Sequence, residues 1–331
     1  MRYVEPGMTH SACAATTRGS GSRRRFLQIG GAAALASALG ACDVWSLASQ
    51  PNTRDPGGSP FSINALRART FGGSDIRLRR VIGRQSTYTT YLMTYTSDGL
   101  TITGVAEVPH GTGPFPVVIL NHGYALPAQY ETGAGTRAIS TELASRGYLT
   151  LASDYRGMGG SEDDMLVNFG ARLEFAIDVL NLVAAIPTLP EARRDVVGMW
   201  GHSLGCDIAL RAAEVSSVVG PVSLWAPISA WMDDMAAYYR LPTTEESVRL
   251  RQTLSPGNYL SFLRGPVAIH QGEDDRVVRP AWAEKLHRAL AAAGVPSTLS
   301  MHEGLGHFLD IAAQVVIEDT GEFFAQHLTP A

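Results

Sequence analysis

The chain alternates between short apolar runs and amphipathic stretches from about residue 88 to its end. A continuous apolar run, as in PVVILNHG at 116–123, predicts a strand that is covered on both faces. Apolar side chains at 173, 176, 177, 180, 183 and 184 have helical spacing and predict an amphipathic helix over about 166–186. Because strand and helix segments follow one another, the pattern predicts a mostly parallel sheet with helices on both faces.

Two segments depart from this alternation. TYLMTYTSDGLTITGVAEVP consists of two alternating runs around Asp98-Gly99, which predicts an antiparallel hairpin at one edge of the sheet. Residues 230–262 predict a small helical insertion, which is either a lid over a ligand site or a longer crossover. The remaining strands are predicted for YLTLASDYRG, DVVGMW, VVGPVSLWAP, PVAIHQG and STLSMHEG, and the remaining helices for 132–146, LGCDIALRAAEV, 280–293 and 310–327.

Residues 1–41 have the pattern of an export signal rather than of a folded segment. Arg23, Arg24 and Arg25 precede an uncharged run from 29 to 41, which is shorter than the about 20 residues that span a bilayer. SRRRFL resembles the twin-arginine (Tat) export signal, and LGAC resembles a lipobox in which Cys42 is lipidated. We expect a lipoprotein of the bacterial periplasm or cell envelope, held at the membrane by its N-terminal lipid. A plain signal peptide and an uncleaved anchor are the alternatives.

Charge and cysteine content narrow the possible classes of protein. The 331 residues include 27 Lys and Arg against 31 Asp and Glu, with no basic cluster outside the signal, so nucleic-acid binding is not expected. Cys13 would leave with the signal and Cys42 would carry the lipid. Cys206 would then be the one cysteine left free, which excludes an intramolecular disulfide.

Residues 42–75 include SQPNTRDPGGSP and predict a flexible tether before a domain at 76–331.

GHSLG at 201–205 places a serine between two glycines, where a predicted strand meets a predicted helix. In such a tight turn, side chains at 201 and 205 would collide with neighbouring backbone, and Ser203 is presented at a helix N-terminus. The N–H of Leu204 then points to where an oxyanion would form. A nucleophilic serine needs a base and an acid. GEDD at 272–275 and GLGH at 304–307 supply aspartates and a histidine, each directly after a predicted strand.

These motifs together resemble the α/β-hydrolase superfamily, and within it the prolyl oligopeptidase-like and dienelactone hydrolase-like serine hydrolases. The resemblance implies an α/β-hydrolase catalytic domain at 76–331, with a mostly parallel sheet, an antiparallel N-terminal hairpin and a Ser-His-Asp triad. It says little about the substrate. The matching segments span about residues 88–325 and are SDGLTITGVAEVP, PVVILNHG, ASDYRGMGGSE, GHSLG, SPGNYL, PVAIHQGEDDRVV and GHFLD.

The resemblance assigns the triad residue by residue. Ser203 is the nucleophile. His307 is the base, with His302 at the end of a strand as the alternative. The family pattern Gly-x-x-Asp-x-x-Val places the acid on Asp275, and the adjacent Asp274 is the alternative. This order along the chain, serine before acid before histidine, is the order that the fold uses.

The implied reaction is a two-step acyl transfer. The N–H of Leu204 and the loop at Tyr124, through its backbone N–H or its hydroxyl, bind the oxyanion, and water hydrolyses the acyl-enzyme. His122 belongs to the family motif that shapes the oxyanion loop. Neither a cofactor nor a metal is expected, because the His and acidic residues lack zinc-site spacing. Three residues of the insertion either line a substrate pocket or pack the insertion onto the domain: Trp231, Met232 and Tyr238.

The sequence therefore predicts an exported hydrolase of small carboxylic esters. A peptidase of the prolyl oligopeptidase type is the alternative, and a non-catalytic binding lipoprotein is a more remote one. Only roughly 45 residues separate Cys42 from the hairpin, without propeller-like repeats, which favours the esterase. Four acidic residues of the insertion attract a cationic substrate or form a solvated surface: Asp233, Asp234, Glu245 and Glu246.

Overall fold

A nine-stranded sheet lies at the centre of the described part of the chain, in the order β1-β2-β3-β5-β4-β6-β7-β8-β9. The computed structural model describes residues 58–72, 74–163, 173–309 and 314–328, so the predicted signal, Cys42 and most of the predicted tether lie outside it. The strands are β1 (Arg77–Arg84), β2 (Tyr88–Ser97), β3 (Leu100–Pro109), β4 (Phe115–Asn121), β5 (Leu149–Ser153), β6 (Ala192–His202), β7 (Val219–Trp225), β8 (Val267–Gly272) and β9 (Ser297–His302).

Helices cover both faces of this sheet. On β4, Val117 and Ile119 enter one apolar cluster, while Val118 and Leu120 enter another on the opposite face. Successive side chains of a strand point to opposite faces, so an all-apolar β4 needs cover on both. The helices are α1 (Ile63–Ala68), α2 (Arg137–Ser145), α3 (Glu174–Ala185), α4 (Leu204–Val215), α5 (Met232–Tyr238), α6 (Glu245–Leu254), α7 (Pro280–Ala292) and α8 (Gln314–His327).

The predicted sheet is confirmed in both of its parts. Strand pairs from β5 through β4, β6, β7 and β8 to β9 are parallel. Strands β1, β2, β3 and β5 pair antiparallel. The β2–β3 turn uses Asp98 and Gly99 with φ values of 49° and 88°, the left-handed conformations that a two-residue hairpin turn requires.

The last part of the predicted tether is folded, so the prediction of a flexible segment up to residue 75 is wrong there. Helix α1 begins after Ser62, whose side chain accepts a hydrogen bond from the N–H of Ala65. Ile63 and Leu66 are at most 1 % exposed, and α1 packs against α4. A six-residue helix with two buried apolar side chains is too short to produce a clear periodic pattern in a Gly- and Pro-rich stretch.

Strand β1 was not predicted either. Its register with β2 shifts between Leu78 and Arg80 and again between Val81 and Gly83, so apolar and polar side chains do not alternate. β1 is the outer strand on its side of the sheet, and it carries four exposed arginines. Bulges and charged side chains are the usual protection of an edge strand against pairing with another chain.

The predicted insertion is helical. Between β7 and β8 the chain forms α5, α6 and two short 3₁₀ turns. The Arg211 guanidinium on α4 donates to the Leu254 carbonyl at the end of α6, at 2.7 Å, and ties the insertion to the sheet-covering helix. Over the described ranges, the helices are too short or too polar to cross a bilayer.

Glu107 on β3 is a buried carboxyl whose ionisation should oppose folding. It is 4 % exposed, and burial raises its pKa to about 7, although hydrogen bonds from neighbouring hydroxyl groups lower it in part. Because the pKa of Glu107 is higher in the folded protein than in the unfolded chain, the free energy of unfolding decreases as the pH rises from the ordinary pKa of glutamate through about 7. We expect Glu107→Gln to gain stability relative to the wild type between pH 4.5 and pH 8, by up to about 3 kcal/mol.

Urea unfolding at the two pH values measures this difference. Glu131→Gln, at an exposed glutamate, is the matched control and should show no such change. A stability difference for Glu107→Gln that is the same at both pH values would contradict the prediction.

Candidate active site

The turn between β6 and α4 places Ser203 in a strained conformation. Ser203 has φ 54° and ψ −117°, and α4 starts at the next residue. A Cβ added to Gly201 would lie 2.4 Å from the Gly205 carbonyl oxygen, and one added to Gly205 would lie 2.0 Å from the Asn121 carbonyl oxygen. The collisions that the sequence predicts at both positions are therefore present, and only glycine fits.

A continuous chain of hydrogen bonds connects Ser203, His307 and Asp275. His307 Nε2 lies 3.0 Å from Ser203 Oγ, and His307 Nδ1 lies 2.9 Å from Asp275 Oδ2. All three residues are at most 8 % exposed. The serine comes from the end of β6, the aspartate from the loop after β8 and the histidine from the loop after β9, so the carboxyl edge of the sheet brings them together.

The surroundings of Asp275 favour its ionised form. Burial alone would raise the pKa of Asp275, but hydrogen bonding and attraction to His307, with two backbone N–H groups, lower it below its usual value. Oδ1 accepts from the N–H groups of Val277 and Val278 at 2.8 and 2.9 Å. Oδ2 accepts from Gln271 Nε2 at 3.1 Å besides His307. The carboxylate is thus fixed in orientation as well as in charge.

The two alternative residues lie elsewhere. Asp274 is exposed, and its backbone N–H donates to the Leu305 carbonyl. The His302 ring lies against His270, with His302 Nε2 3.2 Å from His270 Nδ1. Asp275 and His307 are the residues that the structure brings to Ser203.

A comparison with protein families matches residues 98–297 to the X-Pro dipeptidyl-peptidase (S15) family. The chain belongs to the S15 family. The matched range includes Ser203 and Asp275 and ends before His307. The α/β-hydrolase fold and the serine-hydrolase class that the sequence predicts are confirmed. The family that matches is thus S15, whereas the sequence motifs resembled the prolyl oligopeptidase-like and dienelactone hydrolase-like groups of the same superfamily.

Proteins that are similar to this S15 family member in sequence or in fold include a human protein, a peptidase and an esterase. The human protein ABHD12B is 27% identical over 187 residues, which cover 52% of this chain and 49% of that protein, so the chain spans about half its length. Acylaminoacyl peptidase from Pyrococcus horikoshii is similar with a TM-score of 0.61 and 19% identity, over 72% of this chain and 42% of that one. Acetyl xylan esterase 1 from Thermoanaerobacterium sp. is similar with a TM-score of 0.57 and 21% identity, over 83% of this chain and 97% of that one.

The loop after β4 lies directly beside the serine. A Cβ added to Gly123 would lie 3.2 Å from Ser203 Cβ, which shows how close the two backbones approach. Tyr124 follows in this loop and is half-buried, and burial raises the pKa of its hydroxyl. Leu204, the first residue of α4, carries one of the four N–H groups that a helix leaves without an intrahelical partner. Leu204 is therefore next to Ser203 in the chain, and Tyr124 directly follows the residue whose backbone approaches Ser203.

A stack of rings holds this loop in place. The His122 ring lies between those of Tyr130 and Tyr155, with centroids 4.5 and 4.3 Å away. Asp154, at the end of β5, accepts hydrogen bonds from the Tyr130 hydroxyl at 2.9 Å and from the N–H of Gly133 at 3.1 Å. Burial lowers the pKa of His122, so the ring stays neutral within the stack. This packing gives His122 the loop-shaping position that the sequence motif implies.

His202 is a site residue that sequence analysis missed. Its Nε2 donates to the His307 backbone carbonyl at 2.9 Å, and a Cβ on Gly123 would lie 3.1 Å from its Nδ1. Burial and the proximity of His307 lower the pKa of His202 to about 4, so the ring is neutral near pH 7. The His202 side chain thus lies between the loop that carries His307 and the loop after β4. Its position directly before the serine in GHSLG was the one available signal.

The three predicted pocket residues make packing contacts. Trp231 Nε1 donates to Asn258 Oδ1 at 3.1 Å, and Lys285 Nζ lies 4.2 Å from the centroid of its ring. The Tyr238 ring packs edge-on against Trp282, with centroids 5.4 Å apart. Met232 donates its backbone N–H to Ser255 Oγ at 2.9 Å. These contacts hold the insertion to itself and to α7, and a pocket role for the three residues stays a prediction.

Three of the four acidic side chains of the insertion are paired. Asp233 lies 2.6 Å from Arg251, Asp234 lies 2.7 Å from Lys285, and Glu245 lies 2.7 Å from Arg249. Their charges are largely offset by these partners, which argues against a cluster that attracts cations.

Within the described ranges, no group of three or more His, Cys, Asp or Glu side chains is arranged to hold a metal ion.

The close approach at Gly205 yields a test of the turn. We expect Gly205→Ala to destabilise the protein by about 3 kcal/mol, because the added Cβ meets the backbone of β4 rather than a movable side chain. Gly72→Ala is the control, since nothing lies within 4 Å of a Cβ there. Urea unfolding measures both variants. Equal stability of the two would contradict the packing described for this turn.

Proposed function

We propose that the protein cleaves carboxylic esters of small molecules through Ser203, His307 and Asp275. The observation that carries this proposal is the unbroken path of two hydrogen bonds, 3.0 and 2.9 Å long, from the Ser203 hydroxyl to the Asp275 carboxylate. The strained turn at Ser203 and its place before α4 give further support, because both belong to the geometry of a nucleophilic serine in this fold.

The reaction proceeds in two steps. His307 Nε2 takes the proton of Ser203 as its Oγ attacks the ester carbonyl carbon, and Asp275 stabilises the imidazolium that forms. The tetrahedral intermediate collapses, the ester C–O bond breaks, and His307 returns the proton to the departing alcohol. Water, activated by His307, then hydrolyses the acyl-enzyme and releases the acid.

The backbone beside Ser203 supplies the oxyanion site. In the proposal, the N–H of Leu204 donates one hydrogen bond to the developing negative charge, and the loop at Tyr124 donates the second. The stacked His122 ring and the Asp154 hydrogen bonds hold that loop in position before substrate arrives. Donors that are fixed in advance need no reorganisation during the reaction, and each is worth about 10²–10³-fold in rate.

A peptidase that releases dipeptides is the second candidate, because the family match carries that activity in its name. Recognition of a free N-terminal ammonium calls for an uncompensated carboxylate near the serine. Asp233 and Asp234, the first acidic residues after β7, are already paired with Arg251 and Lys285. The ester assignment is also supported by the acetyl xylan esterase, which is similar over 97% of its own length.

We further propose that the protein is exported and lipidated at Cys42, on the basis of its sequence. After expression in a bacterium with lipoprotein processing, mass spectrometry should find Cys42 as a lipid-modified N-terminus in the membrane fraction. Cys42→Ser should lack the lipid mass. A mature protein that retains residues 1–41, or that has an unmodified Cys42, would contradict this proposal.

Substitution of the nucleophile tests the proposed chemistry. Ser203→Ala should lower kcat for 4-nitrophenyl acetate by at least about 10⁴-fold, because no other group in the site attacks the carbonyl. Ser217→Ala, at an exposed serine, is the matched control and should retain wild-type activity. Circular dichroism confirms that both variants fold. Wild-type rates for Ser203→Ala would rule out Ser203 as the nucleophile.

A substrate panel separates the esterase from the peptidase. We expect turnover of ethyl and benzyl acetates, which are not chemically activated, and no turnover of Ala-Pro 4-nitroanilide. A kcat/KM for the anilide that equals or exceeds those for the acetates would reverse the assignment.

A further inference from the structure

Phe308 is a large apolar side chain that is held in solvent beside His307. It is 57% exposed, the highest value among the exposed large apolar side chains of the described residues. Exposure of a single apolar residue is ordinary on a protein surface. Its position directly after the base of the proposed triad is what sets it apart.

The backbone that carries Phe308 is anchored on both sides. His307 is 8 % exposed and hydrogen-bonded to Ser203 and Asp275. Leu309 is fully buried, belongs to the apolar cluster that includes Val118 and Leu120, and donates its N–H to the Gly306 carbonyl at 3.0 Å. The Phe308 ring is therefore presented to solvent by a fixed turn, and hydrophobic burial inside the domain does not account for it.

Two rings of the site contact Phe308. Its ring packs edge-on against His307 with centroids 5.4 Å apart, and it lies 5.9 Å from the ring of His202. His202 is itself fixed by its hydrogen bond to the His307 carbonyl. Phe308 and His202 thus form a wall of two rings beside the base, open to solvent on the Phe308 side.

The chemistry of the base identifies the part of a substrate that would meet this wall. In acyl transfer, His307 gives its proton to the departing alcohol oxygen as the C–O bond breaks. The alcohol part of the ester must therefore lie beside the His307 ring, whereas the acyl part remains bonded to Ser203. A side chain that packs on the His307 ring is placed to contact the alcohol part.

We propose that Phe308 determines specificity for the alcohol part of the substrate and selects esters of apolar, above all aromatic, alcohols. This inference rests on the ester hydrolysis proposed above. An aromatic alcohol covers the exposed face of Phe308 and gains the edge-on or offset contact that aromatic rings prefer. A small alcohol such as ethanol leaves most of the ring in water.

The test compares two substrate series in wild type, Phe308→Ala and Phe308→Leu. In the first, the alcohol changes from ethyl to benzyl acetate. In the second, the acyl group changes from acetate to butyrate with a 4-nitrophenyl alcohol throughout. Phe308→Ala should lower the benzyl-to-ethyl ratio of kcat/KM by about 2- to 12-fold, the range measured for aromatic pairs. Phe308→Leu should fall between alanine and wild type. The acetate-to-butyrate ratio should not change in either variant.

Val315→Ala is the matched control, since Val315 is 52% exposed on α8 and lies outside the site. Both ratios should equal those of the wild type. An unchanged benzyl-to-ethyl ratio in Phe308→Ala and Phe308→Leu, or a change in the acyl ratio instead, would overturn the inference while leaving ester hydrolysis intact. A wild-type protein that hydrolyses neither acetate would overturn the proposed function, and this inference with it.

Discussion

The approach of the first turn of α4 to the end of β4 is the constraint on which the site depends. Gly205 lies so close to the Asn121 carbonyl that no Cβ fits between them. β4 and β6 are parallel neighbours in the sheet, and α4 begins directly after the turn that follows β6. The same contact puts the loop after β4 over Ser203. Close backbone packing, together with hydrogen bonds such as that from Asn121 Nδ2 to the Trp200 carbonyl at 2.8 Å, thus brings the helix N-terminus, the serine and Gly123 to one place.

Polar contacts then complete what the backbone arranges. Asp275 and His307 lie in the loops after β8 and β9, on the far side of β7, and side chains connect these loops to the Ser203 turn. Asp275 is oriented by backbone N–H groups and by Gln271, so its position does not depend on His307 alone. The His307 loop is tied to the Ser203 turn by His202, whose neutral ring donates to the His307 carbonyl. Removal of either support would leave the three side chains present but less firmly aligned.

The sequence predicts those parts of the protein that rest on local patterns. Buried parallel strands are continuous apolar runs, so the sequence predicts the central sheet. The strand, the Gly-flanked serine and the helix are adjacent in the chain, so the sequence also predicts the turn at Ser203. Helix α1 depends on Ile63 and Leu66 fitting against α4, and β1 loses its alternation at two bulges. His202 and Phe308 belong to the site only because loops that are about a hundred residues apart in sequence meet there. Such pairings follow from the tertiary arrangement and leave no periodic signal in the chain.

The pairing of charges in the insertion bears on how a substrate is recognised. Exposed ion pairs contribute little to stability, but they remove carboxylates that could otherwise attract a cationic group. Asp234 is bound to Lys285, whose ammonium also lies over Trp231, so one interaction both fixes the insertion on α7 and offsets the acid. Two rings contact the His307 ring: that of His202, which is neutral, and that of Phe308, which is exposed. Under the proposed function, apolar contact next to His307 is then better placed than paired charge in the insertion to distinguish one ester from another.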